Sequence, residues 1–161
     1  MIVLFWVSLG VVALDQLSKW AVVVALTPGS HIPILPVFDI TLVFNRGSAF
    51  GFLSDAGGWQ RPLLIILPLV VSLFLVVIIK RLKPNRRQEG IALALILGGA
   101  VGNLFDRIFR GEVIDFLLFY YQGWSFPVFN IADIAINIGA ALLILDLVGW
   151  QVISNRNKHE K

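Results

Sequence analysis

The hydrophobic residues of this chain fall into four long runs that are separated by polar segments. The runs predict helices over residues 2–26, 62–80, 89–109 and 132–153. Each run holds roughly 20 residues, which at a rise of about 1.5 Å per residue is enough to cross the hydrocarbon core of a bilayer. The pattern therefore predicts an all-α membrane protein with four transmembrane helices, built as a single domain over residues 1–161.

The third run contains the glycine-rich stretch LGGAVG, from Leu97 to Gly102. Glycines inside a soluble helix are usually destabilising. In a membrane helix, small residues instead allow the backbones of neighbouring helices to approach closely. We therefore expect the third helix to lie at the centre of the bundle.

The distribution of charge indicates the orientation of the helices. Basic residues cluster in the link KRLKPNRR between the second and third helices, and in the tail that contains Arg156, Lys158 and Lys161. Positively charged loops stay on the cytoplasmic side, so both termini are expected to be cytoplasmic. A cleaved signal peptide is the alternative for the first run. That run has no basic segment before it and carries Asp15 and Lys19, which favours an uncleaved helix.

The segment between the first two helices, residues 27–61, has a different pattern. From Phe38 to Phe44 the sequence FDITLVF places four apolar side chains on one face of a strand, with Asp39 and Thr41 on the other. The preceding stretch PGSHIPILP is extended and punctuated by proline. We therefore expect a small extracytoplasmic β-sheet and loop region that lies on the membrane surface.

Composition excludes several classes of protein. Hydrophobic residues make up 58% of the chain and charged residues only 14%, which is outside the usual range of a soluble domain. The chain has no cysteine, which excludes disulfides, thiol nucleophiles and cysteine metal sites. His159 is in the basic tail and His31 stands alone, so we expect neither a histidine-based triad nor a zinc site. No nucleic-acid partner is expected.

Polar residues from several helices are expected at one depth, in the outer third of the membrane. This depth follows from the helical rise for the first and third helices, and the fourth helix begins at the same level. Ionisable groups inside a membrane are costly, so a cluster of them indicates a functional site. The residues expected at this level are Asp15, Lys19, Asn103, Asp106, Arg107, Asp115, Asn130 and Asp133.

Most of these residues also have a structural interpretation. Asp15 and Lys19 are four residues apart on one helix and can neutralise each other, so we expect them to support the site. Asp106 is expected to pair or cap locally. Arg107 could simply extend to the membrane surface, but it shares a helix face with Asn103 that is expected to point toward the other polar groups. A functional role is favoured for this pair.

Asp115 could be an ordinary loop acid, and Asp133 could be a helix cap. Both aspartates, however, are embedded in apolar sequence, VIDFLLF and FNIADIAI. Desolvation raises the pKa of a lone carboxyl group and disfavours two adjacent charges unless they share a proton. A pair of this kind is typical of an aspartic protease. One carboxylate takes a proton from the attacking water, and the neutral partner donates a hydrogen bond to the peptide carbonyl.

Two other classes of function remain open at this point. A hydrolase could use Ser48 or Ser18 with Lys19, although Ser18 and Lys19 are sequence neighbours and do not face each other on a helix. A proton or solute carrier would also retain buried carboxylates. Cleavage of a peptide by the purified protein would distinguish an enzyme from a carrier.

Four sequence blocks, in order along the chain, resemble the lipoprotein signal peptidases, also called signal peptidase II. The blocks are DQLSK at 15–19, NRGSAFG at 45–51, GGAVGNLFDRIFRGEVIDF at 98–116 and FNIADIAINIG at 129–139. The resemblance implies two catalytic aspartates, Asp115 and Asp133. It also implies residues that bind the substrate and residues that support the site. The first group is Asn45, Asn103, Arg107 and Asn130, and the second is Asp15. We also expect Gly47 to bind the substrate and Lys19, as the charge partner of Asp15, to support the site.

The resemblance also implies a reaction and a location. The expected enzyme is an endopeptidase of the bacterial cytoplasmic (inner) membrane. It removes the signal peptide from a prolipoprotein, on the amino side of a lipobox cysteine that carries diacylglyceryl. Its active site is expected near the extracytoplasmic face, where the substrate and the enzyme both contact membrane lipids. No metal or cofactor is implied, and the enzyme is expected to act as a monomer.

Overall fold

The structure, a computed structural model, describes residues 2–47 and 60–153, without the side chains of residues 60 and 61. It is mostly helical and carries one small antiparallel sheet. Its elements in chain order are α1 (Ile2–Ala25), β1 (His31–Leu35), β2 (Phe38–Asn45), α2 (Gln60–Arg81), α3 (Arg87–Phe109), β3 (Val113–Tyr121), β4 (Trp124–Ser125) and α4 (Ile131–Leu147).

Within the described ranges, three helices are long and apolar enough to cross a membrane: α1, Pro62–Arg81 of α2, and α3. The predicted membrane protein with a small sheet is therefore confirmed for these three helices. Large apolar side chains on α1 and α2 are exposed, for example Trp6 at 64% and Phe74 at 63%. These faces have the apolar surface that a lipid-facing helix requires.

α3 lies at the centre of the bundle and contacts α1, α2 and α4. In the most apolar window of α3, 61% of the residues are buried, compared with 17% in α1 and in α2. The expected central position of the third helix is confirmed.

Glycines allow the helices to approach α3 closely. A methyl group added at Gly99 would lie 2.4 Å from the carbonyl oxygen of Ala132 on α4. One added at Gly102 would lie 2.7 Å from the Asp15 carboxylate on α1. These distances are shorter than van der Waals contact, so no larger residue fits without movement of a neighbouring helix.

The sheet has the strand order β1-β2-β3-β4, and every neighbouring pair is antiparallel. Between β2 and β3, Val43 lies opposite Asp115 and Asn45 lies opposite Val113. Leu42 of β2 and Ile114 of β3 pack in one buried cluster with Val22 of α1. This cluster fixes the sheet to the end of the bundle.

The predicted strand at Phe38–Phe44 is confirmed, but its predicted faces are only partly correct. The register shifts between Ile40 and Val43, where the strand has an irregularity. As a result Thr41 and Leu42, which are sequence neighbours, are both buried, whereas Phe44 is 38% exposed. A bulge of this kind breaks the alternation of faces on which the prediction depended.

α4 is shorter than predicted. The sequence predicted a helix to residue 153, but α4 ends at Leu147. The chain then turns at Gly149, whose positive φ of 80° suits glycine. The N–H groups of Val152 and Ile153 donate to the side-chain oxygen of Gln88 at 2.7 and 3.0 Å. Hydrogen bonds to another helix therefore replace the last helical turns.

Two further expectations differ from the structure or fall outside it. Asp115 does not lie in an irregular loop but in β3, which begins four residues after the end of α3 at Phe109. Ser48, most of the block NRGSAFG and the basic residues at 156–161 lie outside the described residues.

Gly99→Ala is expected to destabilise the bundle, because the new methyl group would meet the backbone of α4. Overpacking of this kind costs on the order of 1–3 kcal/mol. Gly10→Ala is the matched control, since a methyl group at Gly10 meets no atom within 4 Å. The midpoint of thermal unfolding in detergent should fall for Gly99→Ala and stay near that of the wild type for Gly10→Ala. Equal midpoints would contradict the close packing of α3 on α4.

Candidate active site

Asp115 is held by two side-chain amides. Its carboxyl group is on β3 and only 3% of the residue is exposed. Asn130 Nδ2 donates to one carboxyl oxygen at 2.6 Å, and Asn45 Nδ2 donates to the other at 2.9 Å. Because both partners are neutral donors, they hold the carboxyl group in place without neutralising it.

Asp133 caps α4 and also faces the polar cluster. It forms a capping box with Asn130, in which the Asn130 side chain accepts from the Asp133 N–H at 3.0 Å and the Asp133 carboxylate accepts from the Asn130 N–H at 3.2 Å. The second carboxyl oxygen of Asp133 accepts from Asn103 Nδ2 at 2.8 Å. The capping interpretation is therefore correct, but capping occupies only one of the two oxygens.

Asn130 connects the two aspartates. It is fully buried, and its side-chain oxygen caps the helix at Asp133 while its Nδ2 group donates to Asp115. The same Nδ2 group lies 3.1 Å from Asn103 Oδ1 and 3.3 Å from the Ile114 carbonyl oxygen. A single amide therefore joins the start of α4, the middle of α3 and the sheet.

Burial raises the pKa of Asp115 to about 6. The charge of Asp133 acts in the same direction, while the hydrogen bonds from Asn45 and Asn130 oppose it. Desolvation penalises the charged form of a carboxyl group, and here it outweighs the two donors. Asp115 therefore keeps its proton to a higher pH than an exposed aspartate does.

Arg107 points along the site rather than away to the membrane surface. Its Nη2 group donates to the Gly47 carbonyl oxygen at 3.3 Å, and Nη1 lies 3.5 Å from the Asn103 carbonyl oxygen. Asn45 Oδ1 accepts from the Gly47 N–H at 3.0 Å. Gly47 is thus held from both sides by residues of the predicted site.

A small, open pocket lies beside this cluster. It is lined by Asn45, Arg46, Leu64, Arg107 and Gly111, so it contains both polar and apolar groups. Part of its wall comes from α2, which brings an apolar membrane helix next to the polar site. Polar and apolar surfaces therefore adjoin at this pocket.

Lys19 lies in a fully buried group of charges with Asp15 and Asp106. Its Nζ atom is 2.8 Å from Asp15 Oδ2, 2.7 Å from Asp106 Oδ2 and 3.0 Å from Asn103 Oδ1. Asp15 also accepts from the Ala132 N–H at 2.9 Å, which ties α1 to the first turn of α4. The predicted pairing of Asp15 with Lys19 is confirmed, as is their position next to the polar cluster.

Sequence reasoning missed part of this group. Asp106 pairs locally with Arg110, as expected, but it also pairs with Lys19 on another helix. Gln16 was not singled out, yet its Nε2 group donates to Asp106 Oδ1 at 3.1 Å and to the Gly102 carbonyl oxygen at 3.2 Å. Gln16 is a polar residue inside an apolar run, which was the available signal for it.

The serine–lysine alternative has little support in the described residues. The Ser18 hydroxyl donates to the Asp15 carbonyl oxygen at 2.8 Å, within its own helix. Lys19 is occupied by two carboxylates and an amide oxygen. An ammonium group held in this way cannot act as a general base for Ser18. In the part of the chain that the structure describes, no cluster of His, Cys, Asp and Glu could hold a metal ion.

Comparison with solved structures identifies the class of protein. A bacterial membrane enzyme solved by the in meso method at 2.3 Å resolution aligns with a TM-score of 0.82 at 29% sequence identity, over 100% of this chain and 95% of that one. A second one, solved by the same method at 1.9 Å, aligns with a TM-score of 0.79 at 30% identity, over 92% of this chain and 94% of that one. The fold is that of a bacterial membrane protein.

Sequence comparison gives the family. The family model described as Signal peptidase (SPase) II matches residues 7–149. Lipoprotein signal peptidases from Haemophilus ducreyi and Pseudomonas aeruginosa are 46% and 49% identical, over 88% of this chain and 88% and 85% of those proteins. One from Neisseria meningitidis is 43% identical over 98% of this chain and 93% of that protein. The chain belongs to the signal peptidase II family and is a protease, as the four sequence blocks predicted.

Stability should depend on pH through Asp115. Folding raises the pKa of the Asp115 carboxyl group from 3.8 to about 6. The contribution of its protonated form to the free energy of unfolding is therefore fully present below pH 3.8 and is lost as the pH rises to about 6. The loss is about 3 kcal/mol, since each pKa unit corresponds to about 1.4 kcal/mol. Unfolding midpoints in detergent should therefore fall between pH 4 and pH 6, and this fall should be smaller for Asp115→Asn. Glu112→Gln is the control and should keep the wild-type slope. Parallel curves for wild type and Asp115→Asn would contradict the prediction.

Proposed function

We propose that this chain removes the signal peptide from prolipoproteins whose lipobox cysteine carries diacylglyceryl. It cleaves on the amino side of that cysteine, with Asp115 and Asp133 as the catalytic residues. The observation that carries the proposal is the Asn130 side chain, which donates to Asp115 and caps the helix at Asp133. Both carboxyl groups accept from Asn130, that of Asp115 from the side-chain Nδ2 group and that of Asp133 from the backbone N–H group. No cation is bonded to either carboxyl group in the described residues, which suits shared-proton chemistry. Membership of the signal peptidase II family supports the choice of substrate.

In this mechanism Asp115 carries the shared proton. The raised pKa of Asp115 supports this assignment, because the protonated carboxyl group must donate a hydrogen bond to the scissile carbonyl oxygen. Asp133 takes a proton from water as the water oxygen attacks the carbonyl carbon. In the same step Asp115 transfers its proton to the carbonyl oxygen, which gives a neutral tetrahedral diol. The diol then collapses. Asp133 gives its proton to the leaving nitrogen, and Asp115 recovers its proton from a hydroxyl of the diol.

The substrate is held by the polar residues around the two aspartates. Arg107 and Asn45 already hold the backbone of Gly47, through its carbonyl oxygen and its N–H group. Side chains that bind a peptide unit of the enzyme can bind a peptide unit of an extended substrate in the same way. Asn103 and Asn130 complete the set of substrate-binding residues by orienting the carboxyl groups that the substrate meets. Asp15 and Lys19 support this arrangement from α1.

The proposal includes a topology in which all four helices cross the membrane. α4 has 17 residues, which corresponds to about 25 Å, and it is apolar except at Asp133, Asn137 and Asp146. Both termini are cytoplasmic, because the basic link between α2 and α3 is retained on that side. The site then lies near the extracytoplasmic face of the cytoplasmic (inner) membrane. The scissile bond can reach it while the lipid tails of the substrate stay in the bilayer.

The proposed enzyme is a single domain over residues 1–161 that acts as a monomer. The mechanism uses carboxyl groups and water, without a metal or an organic cofactor. The exposed apolar faces of α1 and α2 contact membrane lipids.

Asp115→Asn and Asp133→Asn are each expected to abolish cleavage of a lipidated prolipoprotein. The amide has nearly the shape of the carboxyl group but cannot carry out the proton transfers. The double variant should lose little more than either single one, because residues that act as a unit are not additive. Cleavage is measured in detergent by the change in substrate mass on a gel, and gel filtration confirms that each variant is folded. Near-normal activity of either variant would show that the assignment is wrong.

Arg107→Ala is expected to raise KM about tenfold, because a hydrogen bond from a charged donor to the substrate is lost. The matched control is Arg81→Ala, an exposed arginine at the opposite end of the bundle, which should keep the wild-type KM. Steady-state kinetics with the same lipidated substrate measure both. If Arg107→Ala changes only the unfolding midpoint, Arg107 does not bind the substrate.

A further inference from the structure

The ammonium group of Lys19 has one partner that charge neutralisation does not explain. A lysine has three N–H donors, and the three acceptors around Lys19 are Asp15, Asp106 and the side-chain oxygen of Asn103. Lys19, Asp15 and Asp106 are fully buried, so water does not compete for these contacts. The two carboxylates neutralise the positive charge of Lys19. The hydrogen bond to Asn103 instead determines how the side-chain amide of Asn103 is oriented.

An ammonium group can only donate, so the atom of Asn103 that faces Lys19 must be the amide oxygen. The Nδ2 group of Asn103 then faces the other way, toward Asp133, and donates to it at 2.8 Å. Asn130 also donates to the Asn103 oxygen, at 3.1 Å, but its Nδ2 group has only two hydrogens for three nearby acceptors. Lys19 is thus the donor that always has an N–H group available for the side-chain oxygen of Asn103.

We propose that Lys19 is a positioning residue, which fixes the side-chain amide of Asn103 so that it donates to Asp133 throughout the reaction. This inference rests on the proposed function, in which Asp133 takes up a proton from water. On protonation Asp133 loses the negative charge that attracts the Asn103 N–H group. Lys19 takes no part in this proton transfer and still donates to the Asn103 oxygen, so the amide stays in its orientation for the return of the proton. Without Lys19, the amide can reverse and turn its oxygen toward Asp133.

The positioning role can be separated from charge balance. Arg110 pairs with Asp106, so Lys19 and Arg110 together balance Asp15 and Asp106. Lys19→Met alone leaves a buried carboxylate without its partner and is expected to lose stability. In Asp15→Asn/Lys19→Met the charges balance again, and the asparagine oxygen can still accept from the Ala132 N–H group. This double variant should regain stability but not turnover.

The experiment measures kcat, KM and the unfolding midpoint for these variants with a lipidated prolipoprotein in detergent. Compared with Asp15→Asn, which keeps Lys19, the double variant should have a kcat that is lower by about tenfold or more, with KM changed less than about twofold. Lys80→Met, an exposed lysine on α2, controls for net charge and should match the wild type. If the double variant does not fold, Asp15→Asn/Lys19→Leu, which also keeps the Asp106–Arg110 ion pair, is measured in its place.

A second comparison tests whether Lys19 acts through Asn103. In an Asn103→Ala background, the same change of Lys19 should lower kcat by less than about twofold, because the amide that it positions is absent. Recovery of kcat in the charge-balanced variant would overturn the proposal, and so would independent, multiplicative effects of Lys19 and Asn103. Activity in Asp115→Asn or Asp133→Asn would instead overturn the proposed function.

Discussion

The close approach of α3 to α1 and α4 is the constraint on which the rest of the site depends. Gly99 lies against the backbone of Ala132, and Gly102 lies against the carboxylate of Asp15. At this separation a lysine of α1 reaches an asparagine of α3, and the Ala132 N–H group of α4 reaches a carboxylate of α1. A larger residue at either glycine would separate the helices and break hydrogen bonds that buried polar groups need.

The buried charges divide into two sets with different surroundings. Asp15 and Asp106 form ion pairs with cations, which are Lys19 for both and also Arg110 for Asp106. Asp115 and Asp133 receive hydrogen bonds from amides instead. Neutral donors place no opposite charge directly against these two carboxyl groups. The aspartates thus differ in their partners, which are cations for one pair and neutral amides for the other.

The sequence predicted those features that depend on local pattern. The hydrophobic runs located α1, α2 and α3 to within two residues at each end, and the four blocks identified the family. Features that depend on distant contacts were missed. β3 was not predicted because VIDFLLFYY is almost continuously apolar, so it has no alternation to distinguish a strand from a helix. The end of α4 depends on Gln88, and Asp106 meets Lys19 across two helices.

The two aspartates belong to different layers, since Asp115 lies in the sheet and Asp133 lies in the bundle. Their separation is therefore set by how the sheet docks on the helix ends, through Asn130 and the apolar cluster around Leu42. In the proposed topology the sheet meets lipid headgroups while the helices meet acyl chains. A displacement of one layer against the other would therefore change the distance between the two carboxyl groups while every helix stays folded.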